Sequence, residues 1–285
     1  MATPPDVRAG GREGKMQRSP IKSASRTLEI LELFQERRTP LRLTYIFESL
    51  GYPQSSTTTL LKSLVVLGYL NFDRSSRTYF PTPRVSALGD WINHYIYGAG
   101  DLLSMIESLR DQSDETVAVS SQNDIFVQHI RIRQPGHDFK MPPPEGSMRV
   151  LTQSAPGLVL LSRMTPKALD KLVRHIGIFE GVKVDLEQLN DQLQLIRRDG
   201  YCLLAGYPIP EAAALSIPLP LAPHGMPLAV GVGGLNSRIT RRKTELVGIL
   251  RACVALYEAK LKAAATEEAL RQPVSAIDVS GAPSG

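Results

Sequence analysis

The chain has 285 residues, of which 42% are hydrophobic and 21% charged, a composition typical of a globular protein with room for two domains. No apolar run approaches the ~18 residues that a membrane-spanning helix needs, and the N-terminus lacks the apolar segment of a secretory signal. Only two cysteines occur, at positions 202 and 253, which excludes a disulfide scaffold and a cysteine-built zinc site. We therefore expect a cytoplasmic protein without a membrane partner.

The positive charge is concentrated in the first third of the chain. Residues 1–84 hold 13 Lys and Arg against 7 Asp and Glu, a net charge of +6, whereas the remaining residues carry a net charge of −1. This asymmetry is typical of a nucleic-acid-binding module joined to a neutral domain. A basic arm that only keeps the protein in solution would give the same asymmetry. Residues 1–20 are rich in Gly, Pro and Arg and are predicted to be a disordered basic arm.

Residues 21–83 show the pattern of three helices followed by a β-hairpin. Apolar residues recur at helical spacing in residues 23–37, 43–50 and 55–67, and Gly51-Tyr52-Pro53 separates the last two helices. Residues 69–72 and 77–80 alternate on either side of a polar turn. The pattern predicts a winged helix-turn-helix domain whose third helix can enter the major groove. The third helix should bury Leu60, Leu61, Leu64 and Leu67.

The outer face of the third helix carries an unusual run of hydroxyl side chains. Ser and Thr are poor choices for a helix that only packs, because they compete for backbone hydrogen bonds. The run is explained if the hydroxyls contact phosphates and bases and the Thr methyls meet thymine methyls; an exposed helix start without any contact is the alternative. DNA contacts are predicted for Gln54, which can pair with adenine, and for Ser55, Ser56, Thr57, Thr58, Thr59 and Lys62.

Two arginines in the predicted wing, Arg74 and Arg77, are candidates for phosphate or minor-groove contacts. Arginines at a hairpin tip are also common without any such role.

A linker helix is predicted over residues 84–100. The apolar stripe of this helix consists of Val85, Leu88, Trp91, Ile92 and Tyr95. The stripe needs a partner, which is either another part of the chain or a second subunit.

Residues 101–265 mix helical and strand patterns and predict an α+β domain in which helices pack on a sheet. Strands are expected at residues 116–120, 125–132, 213–220 and 227–233, with a turn at Gln122-Asn123-Asp124. Helices are expected at residues 101–111, 153–163, 166–176, 185–198 and 241–264, the first with Leu102, Leu103, Ile106 and Leu109 turned inward. The tail 266–285 is small and polar and is predicted to be disordered.

The order of these elements and several short strings resemble the IclR family of bacterial transcriptional regulators over about residues 21–262. The strings that carry the resemblance are residues 21–31, 51–56, 60–64 and 68–70, with weaker likeness at 154–157, 197–201, 216–219 and 225–230. The resemblance implies a dimer or tetramer with a winged-helix DNA reader and a GAF/PAS-like effector domain that binds a small metabolite. It places the recognition contacts on Gln54, Ser55, Ser56, Thr58 and Thr59, and family members commonly have a basic residue at the position of Thr59.

The resemblance also implies an effector pocket. By position it would be lined by Val150, Leu151, Thr152, Ser154, Ala155, Cys202, Leu204, Ser216 and Gly231. The segment around these residues departs from the family pattern by being less polar, which favours an apolar or aromatic ligand over a charged organic acid, or no ligand at all. The alternative is that the small residues only allow helices to pack closely on the sheet.

Catalytic and metal-binding patterns are absent from the sequence. The five histidines have no metal-ligand spacing, no nucleophile elbow occurs, and Cys202 has no visible acid–base partner. We therefore predict no enzyme, no metal and no cofactor.

Together, the patterns predict a homo-oligomeric, sequence-specific transcriptional regulator of a catabolic operon that binds an inverted repeat in double-stranded DNA. Two alternatives remain open: a metabolite sensor whose degenerate winged helix contacts proteins, and a repressor that needs no ligand.

Overall fold

The computed structural model describes residues 21–97, 102–136, 145–181, 184–206, 209–220 and 225–271. The chain divides into two compact units between Asn93 and His94. The predicted arm 1–20 and the end of the predicted tail lie outside the described residues. Within the described part, no helix is long and apolar enough to cross a membrane.

The first unit is a small helical domain closed by a three-stranded sheet. Its nine core residues come from the first three helices and all three strands: Ile30, Leu33, Phe34, Leu41, Ile46, Leu61, Leu64, Leu70 and Tyr79. The elements are α1 (Lys22–Arg37), β1 (Leu41–Arg42), α2 (Leu43–Leu50), α3 (Gln54–Val66), β2 (Leu70–Asp73), β3 (Thr78–Pro81) and α4 (Pro83–Tyr97). The two-residue strand β1, which the sequence did not predict, pairs with β3, and the sheet order is β1-β3-β2.

The second unit is an antiparallel six-stranded sheet with helices on both faces. The elements are α5 (Leu102–Ser113), β4 (Thr116–Asn123), β5 (Phe126–Arg133), β6 (Met148–Val150), a 3₁₀ helix (Leu151–Gln153), α6 (Ala155–Ser162), α7 (Pro166–Glu180), α8 (Leu186–Asp199), β7 (Cys202–Ala205), β8 (Ala212–Pro218), β9 (Leu228–Leu235), α9 (Asn236–Arg241) and α10 (Lys243–Arg271). The strand order in the sheet is β6-β5-β4-β9-β8-β7. One face packs against α5, α9 and α10, and the other packs against α6, α7 and α8. This architecture confirms the predicted α+β fold.

A buried ion cluster ties the start of β4 to the C-terminal helices. The fully buried carboxylate of Glu115 accepts two hydrogen bonds from Arg238, both 2.5 Å long, and lies 3.5 Å from Nη1 of Arg242. Arg242 also donates to the Ser113 carbonyl at 2.8 Å. The two guanidinium groups compensate the buried negative charge, which would otherwise be costly in the protein interior.

Two of the predicted core leucines are exposed. Leu67 is 55% exposed because it caps α3 and no longer lies on its buried face, and Leu103 is 40% exposed. The buried stripe of α5 is Leu102, Met105, Ile106 and Leu109, so the prediction included one residue from the neighbouring face.

Three predicted boundaries are also wrong. The β4–β5 turn is formed by Asp124 and Ile125, whereas it was predicted at residues 122–124. The C-terminal helix is interrupted at Arg242, and α10 continues to Arg271, so the polar tail starts later than residue 266. Two short strands of the second unit, β6 and β7, were not predicted because three or four residues carry too little periodicity.

The linker prediction corresponds to α4. Leu88 and Trp91 of its predicted apolar stripe are 55% and 61% exposed in the single chain. The side chains of Ile92 and Tyr95 lie outside the described residues.

Candidate nucleic-acid interface and ligand cavity

The first turns of α3 form an exposed polar surface. Gly51 ends α2 in the left-handed conformation (φ +67°), which glycine adopts without strain, and α3 begins at Gln54, directly after an extended Pro53. Among the predicted contact residues, Gln54, Ser55, Thr59 and Lys62 are exposed and Ser56 and Thr58 are half-buried.

Thr57 is the exception and cannot contact DNA. Its side chain is fully buried, on the same helix face as Leu61 and Leu64. The prediction that Thr57 belongs to the interface is therefore wrong.

The hydroxyl groups on α3 are turned back onto the helix. Thr58 Oγ1 donates to the Gln54 carbonyl at 2.8 Å, Thr59 Oγ1 to the Ser55 carbonyl at 3.1 Å, and Ser56 Oγ to the Pro53 carbonyl at 3.0 Å. Each hydroxyl has one proton to donate, so in this arrangement it can accept a further hydrogen bond but not give one.

Arg26 adds a positive charge to this surface that the sequence analysis did not single out. Its guanidinium Nη1 donates to Ser56 Oγ at 3.3 Å, and its Cζ lies 4.7 Å from the centroid of the Tyr52 ring. The stacking and the hydrogen bond hold the charge beside the first turn of α3. In the sequence, Arg26 lies on the polar side of an amphipathic helix, where arginines are usually only solvated.

The wing tip is ordered by one carboxylate. Asp73 accepts hydrogen bonds from the Ser75 amide (2.8 Å), the Ser75 hydroxyl (2.7 Å) and the Ser76 hydroxyl (2.7 Å). These bonds, the hydroxyl groups first, lower the pKa of Asp73 to about 2, so it is ionised at neutral pH. The exposed Arg74 and Arg77 lie in the same tight turn, where Arg77 has a φ of +54°.

A cavity lies between the sheet of the second unit and the amino end of α6. Its volume is about 90 Å³, several times what one water molecule requires. Its floor consists of small residues from three adjacent strands, and the strand register aligns Ala118, Gly231 and Ser216 in one row across them.

Seven polar side chains line this largely apolar cavity, among them Ser120, His129, Arg149 and Gln153. His129 Nδ1 and Ser120 Oγ are 2.8 Å apart, and burial together with the charge of Arg149 lowers the pKa of His129 to about 4. Arg149 lines the same cavity, and no carboxylate of the described residues forms an ion pair with it. Gln153 Nε2 donates to Glu180 at 2.7 Å. At neutral pH the described lining thus contains a neutral imidazole and the guanidinium of Arg149, which has no ion pair with a described carboxylate.

Comparisons with known proteins identify the family. The IclR helix-turn-helix domain matches residues 23–74, and the C-terminal domain of the bacterial transcriptional regulator IclR matches residues 101–256. The chain belongs to the IclR family of bacterial transcriptional regulators.

Individual IclR proteins are similar over most of the chain. The transcriptional repressor IclR of Escherichia coli K12 is 25% identical over 198 residues, which are 64% of this chain and 68% of that protein. The crystal structure of Thermotoga maritima IclR has the same fold, with a TM-score of 0.65 at 16% identity, over 84% of this chain and 98% of the other. An IclR homologue from Microbacterium hydrocarbonoxydans, crystallised with 4-hydroxybenzoate, has a TM-score of 0.62 at 18% identity, over 85% of this chain and 99% of the other.

The structure brings together some of the effector residues that the IclR resemblance implied. Ser154, Ala155, Leu204, Ser216 and Gly231 line the cavity. The other four are not among its lining residues: Val150 and Leu151 are buried in the adjoining core, Thr152 is half-buried, and burial raises the pKa of the core residue Cys202 to about 12. Sequence reasoning missed several lining residues, namely Thr116, Ala118, Ser120, His129, Ile132, Arg149, Gln153, Pro156, Ile209, Ala212, Ala213, Ala214, Val232 and Gly233.

No metal site emerges from the part of the chain that the structure describes, since His, Cys, Asp and Glu residues form no cluster able to hold an ion there.

The exposed wing predicts a sequence-independent contribution from Arg74. The variant Arg74→Ala should weaken binding to all duplexes by the same factor and reduce the slope of log K against log[salt] by about 0.9, the value for one phosphate contact. Fluorescence anisotropy titrations at several salt concentrations measure both quantities, with Arg163→Ala, an exposed arginine of the second unit, as control. An unchanged slope would contradict the assignment of Arg74 to a phosphate.

Proposed function

We propose that this chain is a sequence-specific DNA-binding regulator whose operator affinity is set by a small molecule in the second unit. The observation that carries the proposal is the exposed first half of α3, with Gln54, Ser55 and Thr59 accessible and Arg26 beside it. A helix presented in this way fits the major groove, while wing arginines fit the flanking phosphates. As a regulator of bacterial transcription, the protein would act in the cytoplasm, where its DNA is.

Two copies of the chain would bind together. A winged helix-turn-helix reads a half-site of a few base pairs, and dimers gain specificity by binding two half-sites of an inverted repeat. The exposed Leu88 and Trp91 of α4 support a homodimer, because large apolar side chains on one helix face are commonly covered by a partner.

An organic anion with an apolar or aromatic body fits the cavity best. The walls are mostly apolar, and the guanidinium of Arg149 can pair with a carboxylate. Neutral His129 can add a hydrogen bond without competing for the negative charge. The homologue from Microbacterium hydrocarbonoxydans, crystallised with 4-hydroxybenzoate, supports this class of ligand. Arg149 thus favours a charged ligand, which the sequence had disfavoured.

Binding without catalysis is the better interpretation of the Ser120–His129 pair. A serine nucleophile needs a base with a pKa near neutrality, whereas the pKa of His129 is lowered to about 4. Cys202 is no better a nucleophile, because burial keeps it protonated.

Specific DNA binding is the first expected outcome. The full chain should shift DNA flanking its own coding region in a gel, and the shift should survive excess nonspecific competitor at two salt concentrations. Thr58→Ala with Thr59→Ala should weaken this complex more than nonspecific binding. Equal losses in both would contradict base contacts by α3. Binding that salt or competitor abolishes would instead favour a sensor with a degenerate winged helix.

Ligand binding tests the role of Arg149. In calorimetry on the full chain, 4-hydroxybenzoate should bind about tenfold or more tightly than its neutral amide, because a hydrogen bond to a charged group contributes about 1.5–3 kcal/mol. Arg149→Met should abolish this preference, while the control Arg163→Met should keep it. Equal affinities for acid and amide in the native chain would contradict the proposed anion site, and no binding of either would favour a ligand-independent repressor.

A further inference from the structure

The hydrogen bonds on α3 limit what its threonines can recognise in DNA. Thr58 and Thr59 donate their only hydroxyl protons to the carbonyls of Gln54 and Ser55, at 2.8 and 3.1 Å. Phosphate oxygens, guanine O6 and N7, and thymine O4 are all acceptors and require a donor. Releasing a helix carbonyl to reach one of them exchanges one hydrogen bond for another, with little net gain. The hydroxyl protons are therefore unavailable for reading DNA.

Two groups remain on each threonine: the methyl group and a hydroxyl oxygen that can still accept. Because the hydroxyl is held on the preceding turn, the methyl is the apolar group of each side chain that a partner can contact. Thr59 is exposed and Thr58 half-buried, and with Ser55 and Lys62 they share one helix face at the spacing i, i+3, i+4, i+7. This face thus presents two adjacent methyl groups.

An A·T pair matches these two groups better than a G·C pair does. In the major groove it presents the thymine 5-methyl group and the adenine N6 donor, whereas cytosine has a donor but no methyl. The neighbouring Gln54 can pair with adenine N6 and N7. Thr58, Thr59 and Gln54 thus all favour an A·T base pair.

We propose that Thr58 and Thr59 read thymine in the operator through methyl–methyl contact. This inference rests on the proposed function, because it requires α3 to lie in the major groove. It keeps the methyl contact that the sequence analysis expected and drops the expectation that the threonine hydroxyls donate to phosphates and bases.

Uracil substitution isolates the methyl group, because deoxyuridine differs from thymidine only by its absence. The full chain first selects its preferred duplex from a random pool, and each thymine of that duplex is then replaced by uracil. At one or two positions per half-site, uracil should weaken binding about fourfold each, the factor that corresponds to burying about one methyl group.

Two matched variants distinguish the methyl from the hydroxyl. Thr58→Val with Thr59→Val keeps the methyl groups and should retain the thymine preference over uracil. Thr58→Ser with Thr59→Ser keeps the hydroxyls and should bind both duplexes equally. Both variants should keep the affinity of the native chain for nonspecific DNA, which shows that they fold.

Each outcome decides the inference. A selected sequence that tolerates uracil at every position overturns the inference and leaves the proposed function intact. The same holds if the serine variant still prefers thymine over uracil, or if the valine variant loses that preference. A pool without any enriched sequence overturns both the inference and the proposed function.

Discussion

The alternation of small and large side chains on three neighbouring strands is the constraint on which the second unit depends. On β4, β9 and β8, the large residues face α5 and α10 and form one core: Val117, Val119, Leu228, Val230, Val232, Leu215 and Ile217. The small residues point to the other face and form the cavity floor: Thr116, Ala118, Ser120, Gly231, Gly233, Ala212, Ala214 and Ser216. Helices therefore pack tightly on one face and leave a space on the other.

Two glycines maintain this arrangement through close approach. A side chain at Gly231 would overlap Ser216 on the neighbouring strand, and one at Gly157 would overlap the Leu151 carbonyl. Gly157 thus lets α6 lie directly against the 3₁₀ helix, and the cavity forms beside this contact. The small residues therefore have both of the roles considered from the sequence: they permit close packing, and they form a pocket. The two roles are connected, because packing at Gly157 positions the wall of the cavity.

The sequence predicts the elements well wherever periodicity is long, as in α1, α2 and α3. The sequence also contains local signals for the burial of Thr57 and for the cavity floor. Thr57 shares the spacing i, i+4, i+7 with Leu61 and Leu64, which indicates burial. The cavity floor is visible in the alternation of Thr116-Val117-Ala118-Val119-Ser120. Other features depend on tertiary register and have no local signal: Arg149 belongs to a three-residue strand, and only pairing with β5 brings it near His129. Likewise, the direction of the Thr58 and Thr59 hydroxyls follows from rotamers, which composition does not reveal.

In the proposed mechanism, occupancy of the cavity sets operator affinity, and one titration tests this dependence directly. The dissociation constant for DNA flanking the gene is measured with and without 4-hydroxybenzoate, in the native chain and in Ala118→Leu, whose larger side chain fills the floor. The account predicts that ligand changes the affinity of the native chain at least about fivefold, the lower end of typical allosteric coupling, and has no effect on Ala118→Leu. A variant that responds to the ligand as the native chain does, or a native chain whose operator affinity the ligand leaves unchanged, would contradict it.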